Sequence, residues 1–348
     1  MRSMHVSLCL TVVLLSTGVV VAFPPPEKTT YLTPEEGGAD FAFQGEYAGT
    51  LTHGDGRKES IGVQAIALGE GKFSGVVYKG GLPGAGWNGT DKVALTGRIE
   101  EEDDELELEL QGDGYDLEVE VPRTGKPIHE AERTMEGSGP NGAKAELKHT
   151  VRKSPTLGAK PPEGAIVLFD GGNADEWEGG RIVDQLLQVG TRTKRKFRNF
   201  ELHLEFRTPF MPFARGQARG NSGMYLLDQY EFQILDSFGL SGEDNECGGL
   251  YSIAKPMVNM CLPPLSWQTY DVKFIAAKYD ASGKKTADAV VVIKHNGVAI
   301  HDNLVIPRNT PGGGESDESK PGSLYVQDHG DKVMFRNIWI RELPENAP

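Results

Sequence analysis

The chain has 348 residues and a formal net charge of −14. A domain usually spans about 100–200 residues, so the length suggests two. The acidic balance argues against a nucleic-acid partner, whose affinity rests on Lys and Arg neutralising phosphates, and against a polybasic attachment to an anionic membrane. The 44 glycines and 21 prolines suit many turns between short strands rather than a helical bundle.

At the N-terminus, Arg2 and His5 precede an apolar run from Val6 to Val21. Small side chains at Val20 and Ala22 follow, then Pro24, Pro25 and Pro26. This is the form of a secretory signal peptide over residues 1–22. An uncleaved anchor has a similar form, but the run is shorter than the ~20 residues of a spanning helix. No later stretch is expected to cross a membrane. The predicted location is therefore outside the cytoplasm: periplasmic, cell-surface or secreted. Cys9 would leave with the signal, and Cys247 and Cys261 would then form one disulfide or remain two buried thiols. No CxxC pair offers zinc-ribbon spacing.

Residues 23–40, rich in Pro, Glu and Gly, read as a loose leader. Residues 40–151 alternate with period 2 and form a smaller β domain. The clearest stretch is Leu106, Leu108 and Leu110 against Glu105, Glu107 and Glu109, then a Gly112-Asp113-Gly114 turn, then Tyr115, Leu117, Val119 and Val121. That predicts a hairpin with one apolar and one acidic face. The charge run Glu100 to Glu105 reads as a solvated turn, with a calcium site or interaction patch as the alternative. Acidic outer faces suggest an accessory role for this domain. Asn88-Gly89-Thr90 has the form of a glycosylation acceptor.

Residues 152–163 carry three prolines and no periodicity, and they are the predicted linker. Strands resume in residues 164–343. Leu202, Leu204 and Phe206 point one way from Glu201-Leu-His-Leu-Glu-Phe-Arg207, and His295-Asn296-Gly297 reads as a hairpin turn. No helix of useful length is predicted here. Many short antiparallel strands point to a double-sheet sandwich.

A series of motifs then occurs in order: Asn221-Ser-Gly-Met-Tyr225, Tyr230-Glu-Phe-Gln-Ile-Leu-Asp236, Trp267-Gln-Thr-Tyr-Asp271, His295-Asn-Gly297, Gln327-Asp-His-Gly330 and Phe335-Arg-Asn-Ile-Trp339. With Leu168-Phe-Asp-Gly171 and Phe200-Glu-Leu-His-Leu-Glu-Phe206, they resemble the 3-keto-disaccharide hydrolase domain family. Asn199 stands where the family's aspartate is expected, in a loop with a basic run from Arg192 to Arg198. The resemblance implies a concanavalin- or laminarinase-like jelly roll that binds an oligosaccharide or glycoside on a concave face. It also implies activity on glycosides already oxidised to a ketone at C3.

A C3 ketone acidifies the proton on C2, so a base can remove it and the group on C1 can leave by elimination. Such a site needs a base of near-neutral pKa and donors for the enolate oxygen, and it leaves room for a divalent cation. Strand parity puts Glu231 and Gln233 on one face and Asp236 on the other, so Glu231 has a glutamine beside it rather than the second acid of an ordinary glycosidase. His329 is the first choice for the base, with Gln327 sharing its face if the strand is extended. The other reading of Gln-Asp-His-Gly is a plain turn. Glu231 is the second catalytic residue, as base, metal ligand or sugar hydrogen-bonder, unless it pairs with an arginine such as Arg336.

Asn221, Tyr225, Gln233, Tyr251, Gln327 and Arg336 are the predicted substrate-binding residues. Trp267 either stacks on a sugar or belongs to the core. His203 and Glu205, with Glu201 and Arg207, read as a solvated strand face. A cation site would draw on Glu231, Glu205 and His329. The rival functions are a non-catalytic carbohydrate-binding module and a cell-surface structural protein.

Overall fold

A computed structural model describes residues 27–101, 105–122 and 127–345. The signal-like segment 1–22 and the middle of the acidic run, residues 102–104, lie outside them.

The expected loose leader is a capped helix over its second half. Thr33 and Glu36 form a capping box at the start of Pro34–Phe43, and Pro34 opens the first turn. The signature Thr-x-x-Glu was present in the sequence, and it stops the segment from fraying. Tyr31 exchanges both backbone hydrogen bonds with Phe210, and Phe43 and Phe210 share one apolar cluster.

Residues 45–150 form eight antiparallel strands that close into a barrel, the last strand, Ala143–Thr150, pairing with the first, Gly45–Thr52. Closure leaves no free sheet edge. The predicted hairpin is present: Glu105–Gly112 pairs with Tyr115–Pro122, and Leu106, Leu108, Leu110, Leu117 and Val119 fill the interior.

Two antiparallel sheets follow, sharing one core. The larger carries Phe200–Arg207 between Met334–Glu342 and Gln268–Ile275, then Ala289–His295 and Val298–Ile306. The last two strands join at the predicted Asn296-Gly297 turn. The smaller sheet runs Thr191–Arg192, Tyr325–Val326, Ser222–Leu226, Tyr230–Ile234. Leu202, Leu204 and Phe206 from one sheet and Met224, Phe232 and Ile234 from the other meet between them.

The solvated-face reading of His203 and Glu205 is wrong. Both are buried, because the segment expected to be a plain linker crosses that face as a strap. Thr156 Oγ1 donates to Asp271 at 2.6 Å, and Gly158 N donates to Glu205 Oε1 at 2.6 Å. Asn337 and Trp339 side chains both donate to the Ala159 carbonyl. His203 Nδ1 lies 2.7 Å from Asp271, and Arg336 Nε donates to Glu205 at 2.7 Å. Burial alone would depress the His203 pKa, but its bonds to Asp271 and Glu205 outweigh that and raise it.

Cys247 and Cys261 are free, buried thiols. Asn199 supplies what an aspartate could not, a side-chain N–H donated to the Pro344 carbonyl, while its oxygen accepts from Ala276 N. Among the described residues, no helix is long and apolar enough to cross a membrane.

Candidate active site

The smaller sheet has one face in the core and one that carries polar groups. Period-2 alternation sends Met224, Phe232 and Ile234 inward, so Gly223, Tyr225, Glu231 and Gln233 share the other face. Register then makes neighbours of them: Tyr225 opposes Glu231, and Gly223 opposes Gln233. Tyr325 flanks Tyr225 from the third strand.

Glu231 is only 4 % exposed. Burial pushes its carboxyl up to about 7, partly offset by the hydrogen bond from Tyr225. The Tyr225 hydroxyl lies 2.8 Å from Glu231 Oε2, 3.0 Å from the Pro311 carbonyl and 3.1 Å from Gln327 Nε2. When Glu231 is ionised, the single Tyr225 hydrogen goes to it. When Glu231 is protonated, it donates into Tyr225, which turns its hydrogen to Pro311 while Gln327 supplies a second donor. Both states have a coherent assignment, and they differ by the proton on Glu231 and the orientation of one hydroxyl.

Two glycines make room for this cluster. A Cβ on Gly223 would sit 2.5 Å from Glu231 Oε1 and 3.0 Å from Gln327 Oε1. One on Gly312, whose φ is +87°, would sit 2.6 Å from the Tyr225 oxygen. Gln327 Oε1 and Asn221 Oδ1 are buried with no hydrogen-bond partner, so two acceptors stay open. Gln217 Oε1 joins Gln233 at 3.0 Å and Asn221 at 3.4 Å.

A family model described as the 3-keto-alpha-glucoside-1,2-lyase-like domain matches residues 164–341. The chain belongs to this family. The family domain is thus the two-sheet unit, and the barrel lies outside the match. Two crystal structures from Parabacteroides distasonis ATCC 8503, each provisionally classed as a glycosyl hydrolase, are similar to the chain. One is 31 % identical, with 52 % of this chain and 85 % of that one covered and a TM-score of 0.48. The other is 19 % identical, with 52 % and 95 % covered and a TM-score of 0.39. No curated protein matches the chain.

Within the family domain, the structure brings together Glu231, Tyr225 and Gln327, and links Gln233 to Asn221 through Gln217. Tyr251 is half-buried, and its backbone N–H donates to the Glu231 carbonyl at 3.0 Å. His329 is exposed, on a turn in which the Asp328 carboxylate accepts from Gly330 N at 2.7 Å. The strand stops at Val326, so the parity expected to link Gln327 and His329 does not extend that far.

Arg336 lies apart, on the larger sheet. It pairs with Glu205, not Glu231, and its guanidinium covers the Trp267 ring at 4.0 Å. Glu205, Glu231 and His329 do not converge, and among the described residues no group of three or more His, Cys, Asp or Glu is placed to hold a metal ion.

Sequence reasoning missed Gln217 and the loop around Thr310, whose Oγ1 accepts from Glu231 N at 2.8 Å. Gln217 sits in a short 3₁₀ turn and Thr310 in an irregular loop, and neither position has a periodic signal.

Proposed function

We propose that the chain is an exported enzyme that cleaves 3-keto-glycosides by proton abstraction at C2 and elimination. One observation carries this reading: a buried carboxyl, Glu231, whose pKa is pushed up to about 7 inside a ring of neutral hydrogen-bonding groups. Ordinary glycosidases need two carboxyls about 5–10 Å apart. Here Gln233 occupies the position two residues on, where a second acid would share the face.

In this mechanism the Glu231 carboxylate takes the C2 proton. The C2–H pair becomes the C1–C2 double bond, the C1–O bond breaks, and the leaving alkoxide is protonated. Water then adds across the double bond to give the free 3-keto sugar. A near-neutral pKa suits this step, because the base is substantially ionised at neutral pH yet still strong enough to remove an α-proton. Glu231 passes that proton to the departing alkoxide and is ionised again, and the Tyr225 hydroxyl turns its hydrogen back to the carboxylate. The open acceptors of Asn221 and Gln327, together with Gln233, bind sugar hydroxyls. Two packed antiparallel sheets sharing one core support the jelly roll expected of the family, and the Val6–Val21 leader supports export.

His329 is the competing base, favoured by its exposed imidazole just past Gln327. A panel of 3-keto-disaccharides and their unoxidised parents, with and without chelator, tests the function. Release of sugar from the keto forms alone is the expected result. Loss of turnover in Glu231→Gln with retention in His329→Ala assigns the base to Glu231, and the reverse assigns it to His329. Binding without turnover of either set would contradict the enzyme reading.

A further inference from the structure

A cleft between the barrel and the family domain contains a cation that no carboxylate meets among the described residues. It has a volume of about 360 Å³ and is walled by Pro34, Phe41 and Val151 on one side and Pro263, Pro264 and Leu265 on the other. Arg133 lines it and is only 7 % exposed. Its Nη2 lies 3.0 and 3.1 Å from the two ring nitrogens of His149, and its Nε is buried with no partner.

His149 is no counterion. Burial first, and then the charge of Arg133, hold its pKa down to about 4, so the ring is neutral at physiological pH. Its place is fixed by Gly45, where a Cβ would come within 2.7 Å of Nε2. Glu46, the carboxylate in the cleft wall, is taken: Arg152 Nε donates to it at 2.6 Å and Gln64 at 2.9 Å. His129, which also lines the cleft, meets Glu35 at 3.3 Å. Arg207 also lines the cleft, and no carboxylate pairs with it among the described residues. Its Nη2 meets the Met334 sulfur at 3.4 Å, and its guanidinium lies 5.3 Å from the Trp267 ring.

In a chain of net charge −14, this is a positive, partly apolar recess lined by a guanidinium that meets no carboxylate among the described residues. A buried unpaired charge is costly unless a ligand completes it. The planar fork of an arginine matches a carboxylate, and the proline, leucine and phenylalanine walls suit an organic body. The volume lies in the range of small-molecule sites. We propose that this cleft binds a small organic carboxylate through Arg133, with Arg207 contributing from the same cleft. None of its lining residues belongs to the Glu231 cluster, so the two sites stand or fall separately.

The test uses the full chain at neutral pH, with benzoate, glucuronate and inorganic phosphate as probes, read by calorimetry and ligand-observed NMR. At least one carboxylate is expected to bind saturably and more tightly than phosphate. A preference for benzoate would indicate an apolar ligand, and one for glucuronate an acidic sugar. Arg133→Met should weaken that binding about tenfold or more without lowering Tm, since it removes an unpaired charge. If that variant fails to fold, Arg207→Met takes its place, with a severalfold loss expected. Glu231→Gln should leave binding intact. The proposal is overturned if neither carboxylate binds saturably, if phosphate binds more tightly, or if the arginine variant that folds binds as the wild type does.

Discussion

The hydroxyl of Tyr225 stands 2.8 Å from Glu231 Oε2 and 3.0 Å from the Pro311 carbonyl, and it has one hydrogen for the two. The side to which that hydrogen turns is set by whether Glu231 holds a proton. This couples the protonation of a buried carboxyl to the orientation of one hydroxyl.

Removing the hydroxyl should therefore tune Glu231 upward. Its hydrogen bond is what holds the Glu231 carboxyl down against burial. In Tyr225→Phe the limb of the pH–rate profile that reports base ionisation should move to higher pH. A limb that stays in place would separate Tyr225 from the base.

Glu231 should also write itself into the pH dependence of stability. Its folded pKa of about 7 lies above the ordinary 4.5, so the native state binds the extra proton. Stability from this group is full below about 4.5 and is lost as pH rises through about 7. Relative to the wild type, Glu231→Gln should gain on the order of 3 kcal/mol between these limits. Denaturant melts of both proteins at several pH values measure the difference, and parallel curves would contradict the shift.

His295 acts in the opposite sense. It is fully buried, its Nε2 lies 3.0 Å from Gln268 Oε1 and its Nδ1 has no partner. Burial drops its pKa from 6.5 to about 3. The unfolded chain takes up the proton first, so stability falls as pH drops from about 6.5 toward 3. His295→Gln should flatten that acid limb in thermal melts, even if the variant is less stable at neutral pH.

The strap over the larger sheet depends on Glu205, which receives Gly158 N, Asn337 and Arg336 together. Glu205→Ala removes a buried carboxylate that pairs with the partly exposed Arg336 and strands the Gly158 and Asn337 donors, and should cost about 2 kcal/mol. Faster proteolysis within residues 152–163 should accompany the loss. An unchanged melting curve would mean that the strap holds without it.

Much of this was legible because β structure has period 2. Leu202, Leu204 and Phe206 declared the core face, and Glu231 with Gln233 declared the polar one. The same rule failed where the strand ended: Gln327 joins the cluster, but the turn held by Asp328 puts His329 outside the alternation. The burial of His203 and Glu205 could not be read from their strand, because the residues covering them lie some 45 positions earlier in an aperiodic, proline-rich segment. The helix at Pro34–Phe43 was announced by Thr33 and Glu36, but its two adjacent glycines obscured it. Arg133 gave no signal at all, since only the fold shows that, among the described residues, no acid pairs with it.

The central claim is that Glu231 removes a proton from C2. It is tested most directly by cleaving a 3-keto-disaccharide in D₂O with the wild type and with Glu231→Gln, and reading deuterium in the 3-keto product. The account predicts one deuterium at C2, no cleavage of the unoxidised parent, and a rate at least ~100-fold lower in the variant. Cleavage without deuterium at C2, or a variant as fast as the wild type, would contradict it.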